Sequence, residues 1–341
     1  MSGFTIISSN RMILKDHLPL AKPLSVFIEP TNICNFRCTP CVQGSENTRN
    51  DLKPFCNLEM SLYKRLVDEL KNWPGPKLKL LRLAALGEPL LHPDFCEMVK
   101  LAVDAGIAER VDTFSNGSRL THEISEKLVD YGLDHIRFSI YAAIDAHQKE
   151  VTRSSVTVGE IRDNIQYLRE YRDRQGKKKP VILAKMFDCY DEENIVFQNL
   201  YKDIADEVGF EKVNNATRYS GNNLINAYYH DKGKEAKTEA EFKSHQQHHV
   251  ACPRPFMNLV VNSAGDCILC THDAPKATKI GNVHEKTLLE LWESDELFEF
   301  RKMHLENRKH ENRICRYCDW YKLFPAEDNV DGFPVERLRP K

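Results

Sequence analysis

From residue 24 to residue 217, short apolar, β-branched runs alternate with longer amphipathic stretches, and this alternation sets the expected architecture. Residues 24–29 read as a first strand. From Ser61, the expected N-cap, Leu62, Leu66, Leu70 and Trp73 recur at helical spacing until Pro74-Gly75-Pro76 stops the helix. Residues 78–86 then read as a buried strand. The alternation repeats with a helix over 95–105 ending at Gly106, a strand over 110–114, a helix over 123–131 ending at Gly132 and a strand over 135–141. Thr157-x-x-Glu160 is a capping box opening a helix with Ile161, Ile165 and Leu168 on one face. Residues 181–187 give a fifth strand. Residues 193–208 give a helix with Val196, Leu200, Ile204 and Val208 in register and Gly209 as its stop, and 212–217 a weaker sixth strand. Six strands alternating with helices argue for an α/β fold with a parallel sheet, as a partial barrel or an open doubly wound sheet.

Residues 220–250 break the rhythm. They are polar, carry Gly221, Asn222 and Asn223, and end in His245, His248 and His249, which read as a metal site or as a solvated helix end. Beyond residue 250 the cysteines cluster. The expected organisation is a barrel over 1–220, a linker or lid over 221–250 and a second domain over 251–341.

A chain of 341 residues suits one large domain plus a smaller one. The net charge of −2 gives no electrostatic reason to expect nucleic acid or an anionic membrane as partner. No run is long enough to span a bilayer, and residues 1–24 lack a basic-then-apolar signal. Eleven cysteines without a secretion signal point to metal or redox chemistry in a reducing cytoplasm rather than to disulfides.

Three thiols, Cys34, Cys38 and Cys41, follow the first strand as Cys-x3-Cys-x2-Cys. A structural zinc site or a complete cubane takes four protein ligands. Three, with no fourth Cys or His nearby, fit an iron–sulfur cluster with one open iron, or a zinc clip that borrows a distant ligand. In parallel α/β folds the site gathers at the C-terminal ends of the strands. Those ends carry Gly87-Glu88-Pro89, Ser115-Asn116-Gly117, Ser139 and Cys189, with Arg153 downstream. Cys189 reads as a hydrogen-atom donor or as a small buried hydrophobe.

The three-cysteine run resembles the signature of the radical S-adenosylmethionine (SAM) superfamily, although Pro40 stands where an aromatic residue usually precedes the third Cys. The resemblance implies a partial (β/α)6 barrel, a [4Fe–4S] cluster on Cys34, Cys38 and Cys41, and SAM bound at the open iron. Gly87-Glu88-Pro89 is similar to that family's Gly-Glu-Pro stretch, with Leu86 in place of a preceding Gly, and implies a site for the SAM amino group. Ser115-Asn116 and Ser139 are implied SAM contacts, and Arg153 an implied partner for its carboxylate.

Cys252, Gly265, Cys270 and Cys315-x2-Cys318 resemble the family's short C-terminal auxiliary-cluster module, a β-hairpin and a helix, called SPASM when full and twitch when short. It implies one auxiliary [4Fe–4S] cluster on Cys252, Cys270, Cys315 and Cys318, with Cys267 left over. A zinc ribbon formed by Cys267-x2-Cys270 and Cys315-x2-Cys318 is the alternative. The expected activity is radical abstraction of hydrogen from a small polar, carbohydrate-like substrate, giving dehydrogenation or epimerisation, with a flavodoxin or ferredoxin as electron donor. No leader-gripping domain is expected. A peptide maturase and a cofactor-biosynthesis enzyme are the alternatives within the enzyme class, and an electron carrier or zinc-stabilised binding protein outside it.

Overall fold

The computed structural model describes residues 11–213, 218–221, 224–229 and 231–339. Six parallel strands, β1 (Ser25–Ile28), β2 (Leu80–Arg82), β3 (Val111–Ser115), β4 (His135–Ser139), β5 (Val181–Phe187) and β6 (Glu207–Glu211), follow one another in spatial order. The sheet does not close, since β6 lies at one edge and does not return to β1. Between the strands run α1 (Met60–Asn72), α2 (Phe95–Ala105), α3 (His122–Asp130), α4 (Asp145–Thr152), α5 (Val158–Arg174) and α6 (Glu193–Tyr201). Leu62, Tyr63, Leu66, Val67 and Leu70 of α1 enter the same core as Ile161, Ile165 and Leu168 of α5. At about 1.5–3 kcal/mol for each large apolar side chain buried, these faces hold the helices on the sheet.

The C-terminal segment joins this sheet directly. Strand β7 (Asn258–Val261) pairs in parallel with β1, from Ser25 opposite Asn258 to Ile28 opposite Val261. Strands β8 (Asp266–Ile268) and β9 (Gly281–Asn282) extend it antiparallel, so nine strands form one sheet in the order β6-β5-β4-β3-β2-β1-β7-β8-β9. Two further helices, α7 (Lys232–Ser244) and α8 (Asp295–Leu305), flank the module.

Several boundaries differ from the sequence expectation. The N-cap position of α1 is Glu59, so Ser61 lies inside the helix. Strand β2 keeps three residues of the nine expected, because the chain beyond Arg82 turns into the loop that carries Glu88. Helix α6 stops at Tyr201 rather than at residue 208. Its buried face is Phe197 and Tyr201, whereas Val196 is exposed. Val208, in step with Val196 by spacing alone, pairs with Ala184 in the sheet as part of β6, which therefore precedes the 212–217 expected. Residues 214–217 lie outside the described residues, as do Asn222 and Asn223. Residues 224–228 and 232–244 are helical, Tyr228 and Tyr229 are buried, and His245 and His249 bond to the carbonyls of Glu241 and Phe324. Among the described residues, the three histidines of this segment form no convergent ligand set.

Asp206 fixes the turn that ends α6. Its carboxylate receives Arg172 Nη1 and Nη2 at 2.5 and 3.0 Å and the Ile182 N–H at 2.8 Å, and Arg172 is only 3% exposed. Burial raises the Asp206 carboxyl, but the bonds from Arg172 and Ile182 outweigh it and hold the group below its ordinary value. Asp206→Ala takes from the buried Arg172 guanidinium its bidentate partner, leaving it Asp173 and the Pro180 carbonyl, and removes the acceptor of the Ile182 N–H; it is expected to cost about 2 kcal/mol in chemical denaturation. A carboxyl whose folded value is depressed stabilises above its unfolded value, near 3.9, and loses that contribution as pH falls through the folded one. The gap between wild type and D206A should therefore narrow in acid.

Candidate active site

The three-thiol loop begins where β1 ends. Glu29, 2% exposed, accepts the Leu86 N–H at 2.8 Å with one oxygen and the Ser263 N–H and hydroxyl at 3.1 and 3.2 Å with the other. One carboxylate thus ties the end of β1 to the β2 loop and to the β7–β8 hairpin. Asn32 donates to the carbonyls of Leu52 and Pro54, and Gln43 to those of Asn32 and Leu86. A side chain on Gly44 would lie 2.2 Å from the Cys38 carbonyl oxygen, so the loop closes on glycine.

Cys38 is buried, Cys34 and Cys41 half-buried, and none is in a disulfide. Burial pushes the Cys34 thiol up to about 12 and raises Cys38 and Cys41 as well. Backbone N–H groups of Phe36 towards Cys34, and of Gln43 and Val42 towards Cys41, act the other way and favour thiolates. Three thiols, one buried and two half-buried, served by main-chain donors fit a bound metal cluster, whose charge replaces the lost hydration.

The second strand-end loop docks onto the first. Gly87 packs so closely that a Cβ would lie 2.1 Å from the Thr31 carbonyl oxygen, and Glu88 N–H donates to Ile33 O at 2.9 Å. The Glu88 carboxylate accepts from Leu90 N (3.1 Å), Ser115 Oγ (2.8 Å) and Asn116 N (2.7 Å). Burial raises this carboxyl to about 7 against the pull of those donors. Asn116 Nδ2 donates to Asn35 Oδ1 at 3.0 Å, and Asn35 Nδ2 to Ser118 Oγ at 2.8 Å. Glu88, Ser115 and Asn116 are therefore brought together, joined by Asn35 from the cysteine loop. Asn35 was not singled out in the sequence, because an Asn between two cysteines carries no spacing signal. Pro89 starts a single 3-10 turn capped by Glu88. The Glu88 oxygens face protein donors, so this carboxylate holds the loops in place.

Ser139 is half-buried at the end of β4, opposite Lys185 of β5. Arg153 caps α4 with φ of 52° and donates to Gly44 O at 2.7 Å, which places it at the far end of the cysteine loop. Cys189, 3% exposed, lies apart from these, with Sγ 3.6 Å from Phe187 O and 3.4 Å from the Tyr228 hydroxyl, which donates to Tyr141 O. Burial pushes its thiol up to about 12. His147 and Glu193 bring ligand atoms within 4.8 Å of the Cys189 sulfur, but they bond to each other at 2.8 Å and Glu193 also accepts Ala143 N–H. Between β3 and β6, Arg137 stacks 3.5 Å over Phe114, and Lys185 Nζ lies 2.7 Å from Glu211 Oε2. Burial alone would raise Glu211, but Lys185 and Arg137 bring it down to about 2. His272 lies close enough to Glu211 for each to act on the other's ionisation.

Cys252, Cys270, Cys315 and Cys318 line a single cavity of ≈ 380 Å³. Burial raises Cys252 to about 12, Cys270 to about 11, and Cys315 too. Cys267 is fully buried within β8 and does not line the cavity, so the zinc-ribbon pairing is not formed. A tetrahedral zinc holds its sulfurs about 3.8 Å apart. Among the described residues, the His147, Cys189 and Glu193 set is the one group of three ligand atoms mutually within 4.8 Å. Both cysteine groups are wider than a single zinc ion draws its ligands, which leaves room for a cluster.

Two cysteine sites on one open α/β sheet, one with three thiols and one with four, define a two-cluster iron–sulfur protein. Residues 28–182 match the radical SAM superfamily, and residues 252–319 match an iron–sulfur cluster-binding domain, SPASM. The chain thus carries a radical SAM domain followed by a SPASM module; the cofactors that go with them are a SAM-binding [4Fe–4S] cluster, SAM and an auxiliary cluster. A tungsten-containing aldehyde ferredoxin oxidoreductase cofactor-modifying protein of Pyrococcus furiosus is 30% identical over 158 residues, 46% of this chain and 41% of that protein. The chain thus spans about two fifths of that relative's length. The crystal structure of BtrN in complex with AdoMet and 2-DOIA superimposes with a TM-score of 0.54 at 17% identity, covering 92% of this chain and 96% of BtrN. Streptococcus suis SuiB bound to precursor peptide SuiA gives 0.62 at 16% identity, covering 90% and 73%. These two likenesses show the fold. No helix among the described residues is long and apolar enough to cross a membrane.

Gly87→Ala forces a methyl group into the Thr31 and Ile33 carbonyls. We expect it to destabilise by about 3 kcal/mol and to weaken SAM binding at least tenfold, measured by denaturation and by calorimetry on the anaerobic protein.

Proposed function

We propose that this chain abstracts a hydrogen atom from a small polar substrate held inside the barrel and completes a two-electron dehydrogenation. When bound, the first cluster and SAM supply the 5′-deoxyadenosyl radical that removes the hydrogen, and the auxiliary cluster supplies a nearby acceptor for the second electron. Cys34, Cys38 and Cys41 hold the first cluster, and Cys252, Cys270, Cys315 and Cys318 the auxiliary one. The bonds of Glu88 to Ser115 and Asn116, extended to Asn35, fix the Gly87–Pro89 backbone beside the cysteine loop, where its carbonyls would accept from the SAM amino group. Ser139 at the end of β4 would contact the SAM ribose, and Arg153 at the far end of the cysteine loop would pair with its carboxylate.

The observation that carries the substrate class is the charged barrel interior. Lys185, Glu211 and Arg137 line it with paired charges, which orient hydroxyl, amino or carboxylate groups and disfavour an apolar ligand. The same Glu211 is within electrostatic reach of His272 in the auxiliary module, which supports a substrate region near the second cluster. Cys189 is shielded by Tyr228 and its sulfur engaged, which favours dehydrogenation over epimerisation. A cofactor-modifying role is the second reading, favoured by the 30% identity to the Pyrococcus furiosus protein. A cytoplasmic setting with a small electron-transfer protein as reductant completes the proposal.

The test uses anaerobically reconstituted protein with reductant, SAM and a panel of aminocyclitols, sugars and cofactor precursors. We expect 5′-deoxyadenosine, a product two hydrogens lighter than its substrate, and turnover of Cys189→Ala within a fewfold of wild type. A product of unchanged composition carrying one solvent deuterium, lost in Cys189→Ala, would establish epimerisation instead. No 5′-deoxyadenosine would refute the proposal.

A further inference from the structure

The four-thiol cavity has a fifth feature that cluster ligation does not account for. His304, on α8, lines it together with Cys252, Cys270, Cys315 and Cys318. The residue is 2% exposed and its ring lies 5.1 Å from that of Phe300. Nδ1 accepts the Cys252 backbone N–H at 3.4 Å, so the ring proton of the neutral imidazole resides on Nε2. That Nε2–H is buried and has no hydrogen-bond partner among the described residues, sulfur included. Buried donors are almost always paired, so an orphan at the wall of a cofactor cavity marks an acceptor that belongs to the cofactor. Cluster sulfides and their thiolate ligands are such acceptors, and hydrogen bonds to them favour the more negative, reduced state.

We propose that His304 donates its Nε2–H to the auxiliary cluster, at a sulfide or a ligating sulfur, and thereby raises the cluster's reduction potential. The inference rests on reading the four-thiol cavity as a cluster site. His304 is a positioning and tuning residue: Cys252, a ligand, supplies the N–H that fixes its tautomer, and the opposite edge of the ring is left for the cluster. His272 lines the same cavity but differs in kind, since it is only half-buried, stands 5.7 Å from Trp320 ring to ring, and gives its backbone N–H to Cys270 Sγ at 3.4 Å. A more oxidising cluster is a better acceptor for an electron leaving the substrate region.

The experiment is pulsed EPR and a redox titration of the full, anaerobically reconstituted chain labelled with 15N-histidine, beside His304→Phe, His304→Gln and His272→Phe. In wild type, we expect the reduced auxiliary cluster to show a weak histidine-nitrogen coupling and a coupled exchangeable proton. His304→Phe should lose both and shift the auxiliary midpoint to lower potential. The SAM-responsive first cluster should keep its potential, and His272→Phe should keep the coupling. If His304→Phe fails to load iron, His304→Gln must lose the nitrogen coupling in its place. Absence of the coupling in wild type, or its persistence at equal iron content in either His304 variant, overturns the proposal. A protein with no auxiliary iron at all would instead overturn the cluster reading, and an iron and sulfide count tells the two failures apart.

Discussion

Strand β1 is hydrogen-bonded along both edges, to β2 of the barrel and to β7 of the C-terminal module, and both cysteine sites depend on that position. A strand held on both sides cannot shift register without turning its buried face outward. The loop that leaves it therefore starts from a fixed point. Glu29 secures the exit, since its two oxygens reach the β2 loop and the β7–β8 hairpin at once. Buried and ringed by donors, this carboxylate is raised by desolvation and drawn back by its hydrogen bonds, so losing either partner loop would leave it uncompensated. The barrel and the module are therefore mechanically one sheet, even though their chemistry is separate.

Upon that frame the site is assembled largely from main chain. Gly44 and Gly87 let backbone press on backbone around the three thiols, at distances no side chain would tolerate. The polar side chains nearby bond to the main chain or to one another. The Glu88 carboxylate accepts from Leu90, Ser115 and Asn116, and Asn35 closes the circuit from the cysteine loop. Such a fully satisfied polar network is rigid, and rigidity is what a radical reaction needs from its surroundings: reactants held close and water kept away. The charged cluster towards β6 is built differently, with Lys185 and Arg137 paired in charge with Glu211.

Much of this was legible in the sequence because it is local. Cysteine spacing, the Gly87-Glu88-Pro89 turn and Ser115-Asn116-Gly117 are short motifs at strand ends, and strands such as 181–187 are apolar enough to stand out. What escaped depended on distant partners. The end of α6 could not be read, because Ile204 and Val208 continue the four-residue step while Asp206 is recruited by Arg172 to turn the chain. The pairing of β1 with β7 joins residues more than two hundred positions apart and leaves no periodic trace. The resemblance already left Cys267 over, but the zinc ribbon that would use it fell away only once β8 was seen to bury it away from the four-thiol cavity. His304 carries no signal in the sequence and stands out only because its buried Nε2 has no partner among the described residues.

The account stands on two independent cluster sites sharing one sheet, and the most direct test is to count metal. Anaerobically reconstituted wild type should hold about eight irons and about eight sulfides, as two [4Fe–4S] clusters require. A Cys34/Cys38/Cys41 triple-alanine variant should retain about four of each on the C-terminal thiols. About four irons in wild type, falling to none in the variant while zinc remains bound, would contradict it: the C-terminal module would then be a structural clip, with no part in accepting electrons.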